Sequence, residues 1–178
     1  MEAPTARSSD AEVAALARAD ATNGQVASAT MRVENALLVV ETGPAPEFID
    51  ITERVAEVVR RSGVRDGQVL VFSRHTTASV RVQEAEPLLL EDMCACLERL
   101  APRDLEYRHN DFRIRTVNMT PSESPNGHSH CRHLFLGASE TLPVVDGQLA
   151  LGRWQRVFLI ELDHPRTREI HVQVLGLG

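Results

Sequence analysis

Apolar and polar positions change period several times along this chain, and each change predicts an element. From Ala29 to Thr42 the residues favour strand, as one run or as two short strands meeting at Glu34 and Asn35, with Ala36–Thr42 the more buried part. Gly43-Pro44-Ala45-Pro46 breaks that run. Asp50 followed by Glu53 makes a capping-box-like start, Ile51, Val55, Val58 and Val59 share one helical face, and Gly63 stops the helix. The runs Gly67–Ser73 and Ala78–Glu84 are β-branched and apolar and flank Arg74-His75-Thr76-Thr77, which reads as a hairpin. A second helix follows, with Pro87 in its first turn, a stripe of Leu89, Met93, Leu97 and Leu100, and Pro102 as its end. About thirty polar residues come next, a length of irregular chain that is usually functional or disordered. The last third returns to strand: Asp146-Gly147 closes a hairpin, 153–162 is apolar on both faces, and 168–176 alternates with Ile170, Val172 and Val174 on one side. Hairpins in succession exclude a doubly wound parallel sheet. The expected fold is α+β, a single compact domain with a largely antiparallel sheet and two main amphipathic helices.

Composition narrows the function classes. A chain of 178 residues is expected to form one domain, here residues 28–178 behind a flexible N-terminal tail, 1–27, with a helical turn or two around Val13–Ala19. The tail lacks the apolar stretch of a signal peptide, and Asp10, Glu12 and Asp20 count against a mitochondrial transit peptide, so a cytoplasmic location is expected. No apolar run approaches the ~20 residues of a membrane span. A net charge of −6 argues against nucleic acid and anionic membranes as partners, and any positive site must be local. The three cysteines suit a reducing compartment. Cys94 and Cys96 fall in an apolar helical pattern and read as buried or half-buried structural thiols rather than as soft-metal ligands.

Local chemistry gathers in Asn110–Phe135, which opens with Arg113 and Arg115 and ends with His128, His130 and His133 around Cys131. Surface or core duty is the ordinary fate of a lone histidine. A cluster, with His75 and His109 also beside polar residues, raises the metal reading above it, since neutral imidazole is a common zinc ligand. On a strand His128 and His130 would share a face; on a helix they would diverge and His130 and His133 converge. Thr76, Thr77 and Ser79 beside His75 could hold a phosphate or orient a metal-bound water, or form an ordinary polar strand end. Glu84 follows the strand leaving His75, and a hairpin could bring the two together. Arg113 with Arg115, and Arg166 with Arg168, have the spacing of paired arginines on an extended strand, which suits forked bonds to an anion; surface salt bridges are the plainer reading.

Taken in order, HTTASV, Glu84, EDM, YRHND, NGHSH, LFLGASETLPVVDGQLALGRWQRVFLIELDHPR and the closing VQVLG resemble the YjbQ-like family, whose members are described as secondary thiamine-phosphate synthases. The resemblance runs from about Val33 to Gly176. It implies an α+β fold, a homotrimer with pockets near subunit boundaries, and a divalent metal, zinc by its imidazole ligands, held by His75, His109 and His130, with His128 a weaker match. Glu84 matches the family's acidic position, and Trp154-Gln155 matches a block assigned to packing. The activity implied is a metal-dependent transfer on small phosphorylated metabolites, joining a pyrimidine pyrophosphate to a thiazole phosphate. Glu84, Thr76 and Thr77 would be catalytic, and Arg113 and Ser79 would hold the phosphates. Imidazole ligation suits zinc better than the Mg²⁺ usual for pyrophosphate, so thiamine-phosphate synthesis is expected as a secondary activity beside a metal-assisted hydrolysis or similar step. A non-catalytic metal- or metabolite-binding trimer is the alternative. The loop from His109 to His130 is longer than in the shortest relatives, which bears on substrate identity.

Overall fold

The structure, a computed structural model, describes residues 30–178; the tail expected at 1–27 lies outside them. In chain order the elements are β1 (Met31–Glu41), β2 (Glu47–Asp50), α1 (Thr52–Ser62), β3 (Asp66–Ser73), β4 (Ala78–Glu84), α2 (Pro87–Leu100), a 3-10 turn (Arg108–Asn110), α3 (Gly127–Leu136), β5 (Ser139–Val145), β6 (Gln148–Leu149), β7 (Gln155–Glu161) and β8 (Thr167–Leu177). They form two antiparallel sheets, β1-β8-β3-β5-β6 and β2-β7-β4. The α+β, antiparallel class is as the residues imply.

Period explains which faces meet. Ile170, Val172 and Val174 of β8 turn inward with Val69 and Val71 of β3, meet Val80, Val157 and Leu159 from the other sheet, and are closed over by Val55, Val58 and Val59 of α1. Each such side chain contributes roughly 1.5–3 kcal/mol when fully buried. β7 is apolar on both faces because it has two partners: Phe158 and Ile160 point the other way, against Leu97 of α2.

Three sequence expectations change, and one alternative left open is decided. β1 is one continuous strand, because β8 pairs with it from Met31↔Leu177 to Glu41↔Thr167. β3 and β4 are not a hairpin; Arg74–Thr77 carries the chain from one sheet to the other, tied by Ser73 Oγ donating to the Ala78 carbonyl at 2.6 Å. The polar stretch ends in a third helix, α3. Cys96 is exposed, whereas Cys94 and Cys131 are half-buried. Other expectations hold: Gly63 takes φ +65° at the end of α1, and Asp146-Gly147, both at positive φ, joins β5 to β6. Among the described residues no helix is long and apolar enough to cross a membrane.

Candidate functional site

Four segments meet at the end of the sheets where β4 begins and β7 ends: the Arg74–Thr77 crossing, the 3-10 turn, the start of α3, and the connection from β7 to β8. Ala78 pairs with Glu161 and Ser73 with Ile170, so the crossing lies directly over the entry to β8. Between these segments is a cavity of about 480 Å³.

Its floor is a buried ion pair. Arg168 is on the inward face of β8, two residues before Ile170, and Glu161 ends β7; both side chains are within 1% of full burial. Arg168 Nε donates to Glu161 Oε2 at 2.6 Å and its Nη2 to Thr77 Oγ1 at 3.0 Å. Glu161 also accepts from Thr42 Oγ1 and from the backbone N–H groups of Leu162 and Asp163. With every lone pair engaged, the carboxylate tolerates burial, and the pair ties the crossing to the β7–β8 connection.

The imidazoles form one wall. His75 Nε2 accepts the Glu169 backbone N–H at 2.8 Å, which places the neutral ring's proton on Nδ1. Burial, then the nearby Arg168 charge, pushes its pKa down. His109, in the 3-10 turn, meets His130 of α3 edge to face at 4.7 Å between centroids, and its Nε2 is buried without a protein partner. Burial, followed by the proximity of His109, holds His130 below its ordinary value. Because the segment is helical, His128 diverges from His130 and is 3% exposed, with Nε2 against Ser129 Oγ.

Arginines form the opposite wall, each already paired. Arg115 bonds Glu123 at 3.1 Å and the Asn118 carbonyl at 2.9 Å. Arg166 bonds Asp163 at 2.7 Å, leaving its Nε buried and unpartnered. Burial works against ionised Asp163, but hydrogen bonds from His164 and Asn126 and the Arg166 charge prevail and lower its pKa.

The cavity thus unites His75, His109, His130, Thr76 and Thr77. Three other expected site residues are elsewhere in the chain. Glu84 is at the far end of β4, about 20 Å from Ala78 at ~3.3 Å per residue; the crossing between sheets removes the hairpin that would have brought it to His75. Arg113 is 89% exposed and folds back on Asp111, so Arg115 occupies the cavity instead. Ser79 is wholly buried within β4, its hydroxyl unpartnered. Glu161, Asp163, Glu123 and Asn126 were not anticipated. The available signal was a carboxylate directly after the apolar run Val157–Ile160, and an arginine on the apolar face of β8.

The donors suit a metal in part. Two imidazoles on one tetrahedral ion have centroids roughly 5 Å apart for metal–nitrogen bonds of about 2.0–2.1 Å, and His109 with its free Nε2 fits that beside His130. The His75 Nε2 lone pair is directed at Glu169. Among the described residues no three His, Cys, Asp or Glu side chains converge as a metal-binding group, short of the three protein ligands a catalytic zinc usually has.

Fold and site together define a class: an antiparallel α+β scaffold with an arginine- and histidine-lined cavity at one sheet end. Residues 36–177 match the family model described as "UPF0047 protein YjbQ-like", and the chain belongs to that family. It is 40% identical over 146 residues to a UPF0047 protein of Methanothermobacter thermautotrophicus, covering 82% of this chain and 94% of that protein. A UPF0047 protein of Synechocystis sp. is 36% identical over 152 residues, 84% and 96% of the two chains. Among solved structures, a YbjQ-like protein of unknown function from Sulfolobus solfataricus superposes with a TM-score of 0.74 at 35% identity, over 83% of this chain and 99% of that one. A hypothetical protein from Aeropyrum pernix gives 0.71 at 34% identity, over 80% and 98%.

Proposed function

We propose that this protein is a cytoplasmic homotrimeric enzyme that acts on a small phosphorylated metabolite, with thiamine-phosphate synthesis as a secondary activity. The observation that carries the reading is the convergence of Arg115, Arg166 and Arg168 with His75, His109 and His130 around one cavity of about 480 Å³. Arginine offers forked donors to phosphate even when one edge is paired. The His75 Nδ1–H is a donor available to an anion, and the buried Arg166 Nε–H has no protein partner. His130, neutral at pH 7 because burial lowers its pKa, can take a proton from a reacting group. With a divalent ion bound, zinc by the donor type, His109 and His130 would serve as its ligands, His130 then no longer being free as a base, and the ion would polarise a phosphoryl oxygen. Three free cysteines suit the reducing cytoplasm. Self-association is supported by the apolar stripe of Met31, Val33, Leu37 and Val39, each 47–62% exposed on edge strand β1.

The test is calorimetric titration with inorganic phosphate and pyrophosphate, with elemental analysis and a turnover screen of phosphorylated metabolites on the same sample. Phosphate binding that Arg166→Ala weakens by ~10-fold or more, as loss of a hydrogen bond to a charged group implies, supports the site. Phosphate binding without turnover of any substrate would make this a binding protein. An absence of phosphate binding would refute the reading.

A further inference from the structure

We propose that Asn110 is a positioning residue: by capping α3 from the 3-10 turn it holds His109 against His130, and the affinity of that pair for a divalent ion depends on it. This rests on the imidazole pair as the metal-holding part of the site proposed above.

The start of α3 is fastened by two asparagines with different partners. Asn126, its N-cap residue, turns its amide away from the helix and donates through Nδ2 to Asp163 Oδ2 at 3.2 Å. The first N–H of the helix, that of Gly127, is taken up instead by Asn110 Oδ1 at 2.8 Å. The donor is a backbone N–H, so the Asn110 amide must present its oxygen there. A helix begins with N–H groups that have no intrahelical acceptor, so an acceptor brought from another segment fastens that segment to the helix.

Size at this joint is as closely set as the bonding. Tyr107, immediately before the 3-10 turn, rests its ring on Gly127: a Cβ there would fall 2.5 Å from Tyr107 Cβ and 2.8 Å from its Cγ. The far end of the ring is fixed as well, since Tyr107 Oη donates to the Pro102 carbonyl at 2.9 Å. The turn is closed by the Asn110 N–H, which donates to the Tyr107 carbonyl at 2.9 Å. His109 therefore lies between two residues that both touch Gly127, and His130 is one helical turn further along α3. The 4.7 Å approach of the two rings is set here. Ligands on separate segments bind one ion well only when those segments are held in register.

The experiment uses the full chain free of metal. It is read by zinc calorimetry and by the nuclear Overhauser cross-peak between the ring protons of His109 and His130, which needs no metal. Asn110→Ala is expected to lose the cross-peak and to bind zinc ~10-fold or more weakly, the usual effect of removing a group that orients a ligand. Asn110→Asp keeps an acceptor oxygen and is expected to retain both. Gly127→Ala tests the joint from the helix side, and decides the matter if Asn110→Ala does not fold. Alanine favours helix over glycine, yet this variant is expected to behave as Asn110→Ala does. Unchanged zinc affinity or an intact cross-peak in Asn110→Ala, or equal losses in Asn110→Ala and Asn110→Asp, overturns the proposal and leaves the imidazole pair standing as a metal site. Failure of the wild type to bind zinc overturns both.

Discussion

Arg168 and Glu161 illustrate what a charge requires to remain inside a protein. Glu161 has its bonding capacity filled by Arg168, by Thr42 and by two backbone N–H groups, and Arg168 bonds Glu161 and Thr77. Removing one charge strands its partner, so Glu161→Gln is expected to cost about 3–5 kcal/mol in urea unfolding. Replacing both, as Glu161→Leu/Arg168→Met, should recover most of that loss; a double variant as unstable as the single one would show that the pair contributes more than mutual neutralisation. His130 is the residue on which the chemical reading turns. His130→Ala is expected to lower turnover of the phosphorylated substrate by ~10²–10⁴-fold, the usual contribution of a general acid or base, while the thermal midpoint stays near that of the wild type. Full activity in this variant would remove the imidazole from the mechanism. The histidines and Thr76-Thr77 were legible in the sequence, since several imidazoles gathered among polar residues point to ligand chemistry more strongly than one does alone. Glu161 was hidden, because a carboxylate at the end of an apolar strand looks like the point where a strand meets water.

Among the elements, β3 and β8 approach closely at Gly67. Gly67 faces Gly176 across the ladder, and a Cβ on Gly67 would fall 2.2 Å from the Leu175 carbonyl oxygen. That contact is with backbone and cannot be relieved by a rotamer change. Gly67→Ala is therefore expected to lower stability by more than about 2 kcal/mol, at the upper end for a single methyl, with Gly147→Ala, whose Cβ would make only an ordinary 3.7 Å contact with the Val64 carbonyl oxygen but at positive φ, costing about 1 kcal/mol. Equal effects in thermal melts would contradict the steric argument. The helical face of α1 and the alternation of β8 were plain from their periods. The continuity of β1 was not, because Glu34 and Asn35 look like a break until eleven residues of β8 pair beside them. Nor was α3 plain, since its glycine, serine and three histidines are indifferent helix formers; the packing of His128, Ser129 and Arg132 against the body of the protein holds it helical.

At the scale of the whole molecule, acid is the natural denaturant. Burial is the first cause that holds His75, His128, His130 and His133 below their ordinary value of 6.5. The unfolded chain takes up protons more readily than the folded one, so this stabilisation is complete above about pH 6.5 and is lost as pH falls through that value towards the folded-state pKa values. The urea midpoint is expected to drop between pH 7.5 and pH 5.5, and an unchanged midpoint would mean the imidazoles are no harder to protonate folded than unfolded. The exposed apolar stripe on β1 belongs to the same scale. Sedimentation is expected to give a trimer, and Leu37→Glu to dissociate it; a monomeric wild type would contradict that assembly.

Periodicity and breakers were enough to define the class of fold and most elements, because each is written locally, in spacings of two to four residues, and the family followed from the resemblance of several short motifs in order. The site depended on pairings between distant segments. Whether Arg74–Thr77 turns back as a hairpin or crosses to another sheet decides which carboxylate lies near His75, and that is set by which strands find room beside β8 and β7. The sequence named the imidazoles and arginines; three-dimensional packing exchanged Glu84 for Glu161 and Asp163, and Arg113 for Arg115, because contacts between chain segments many residues apart leave no period to read.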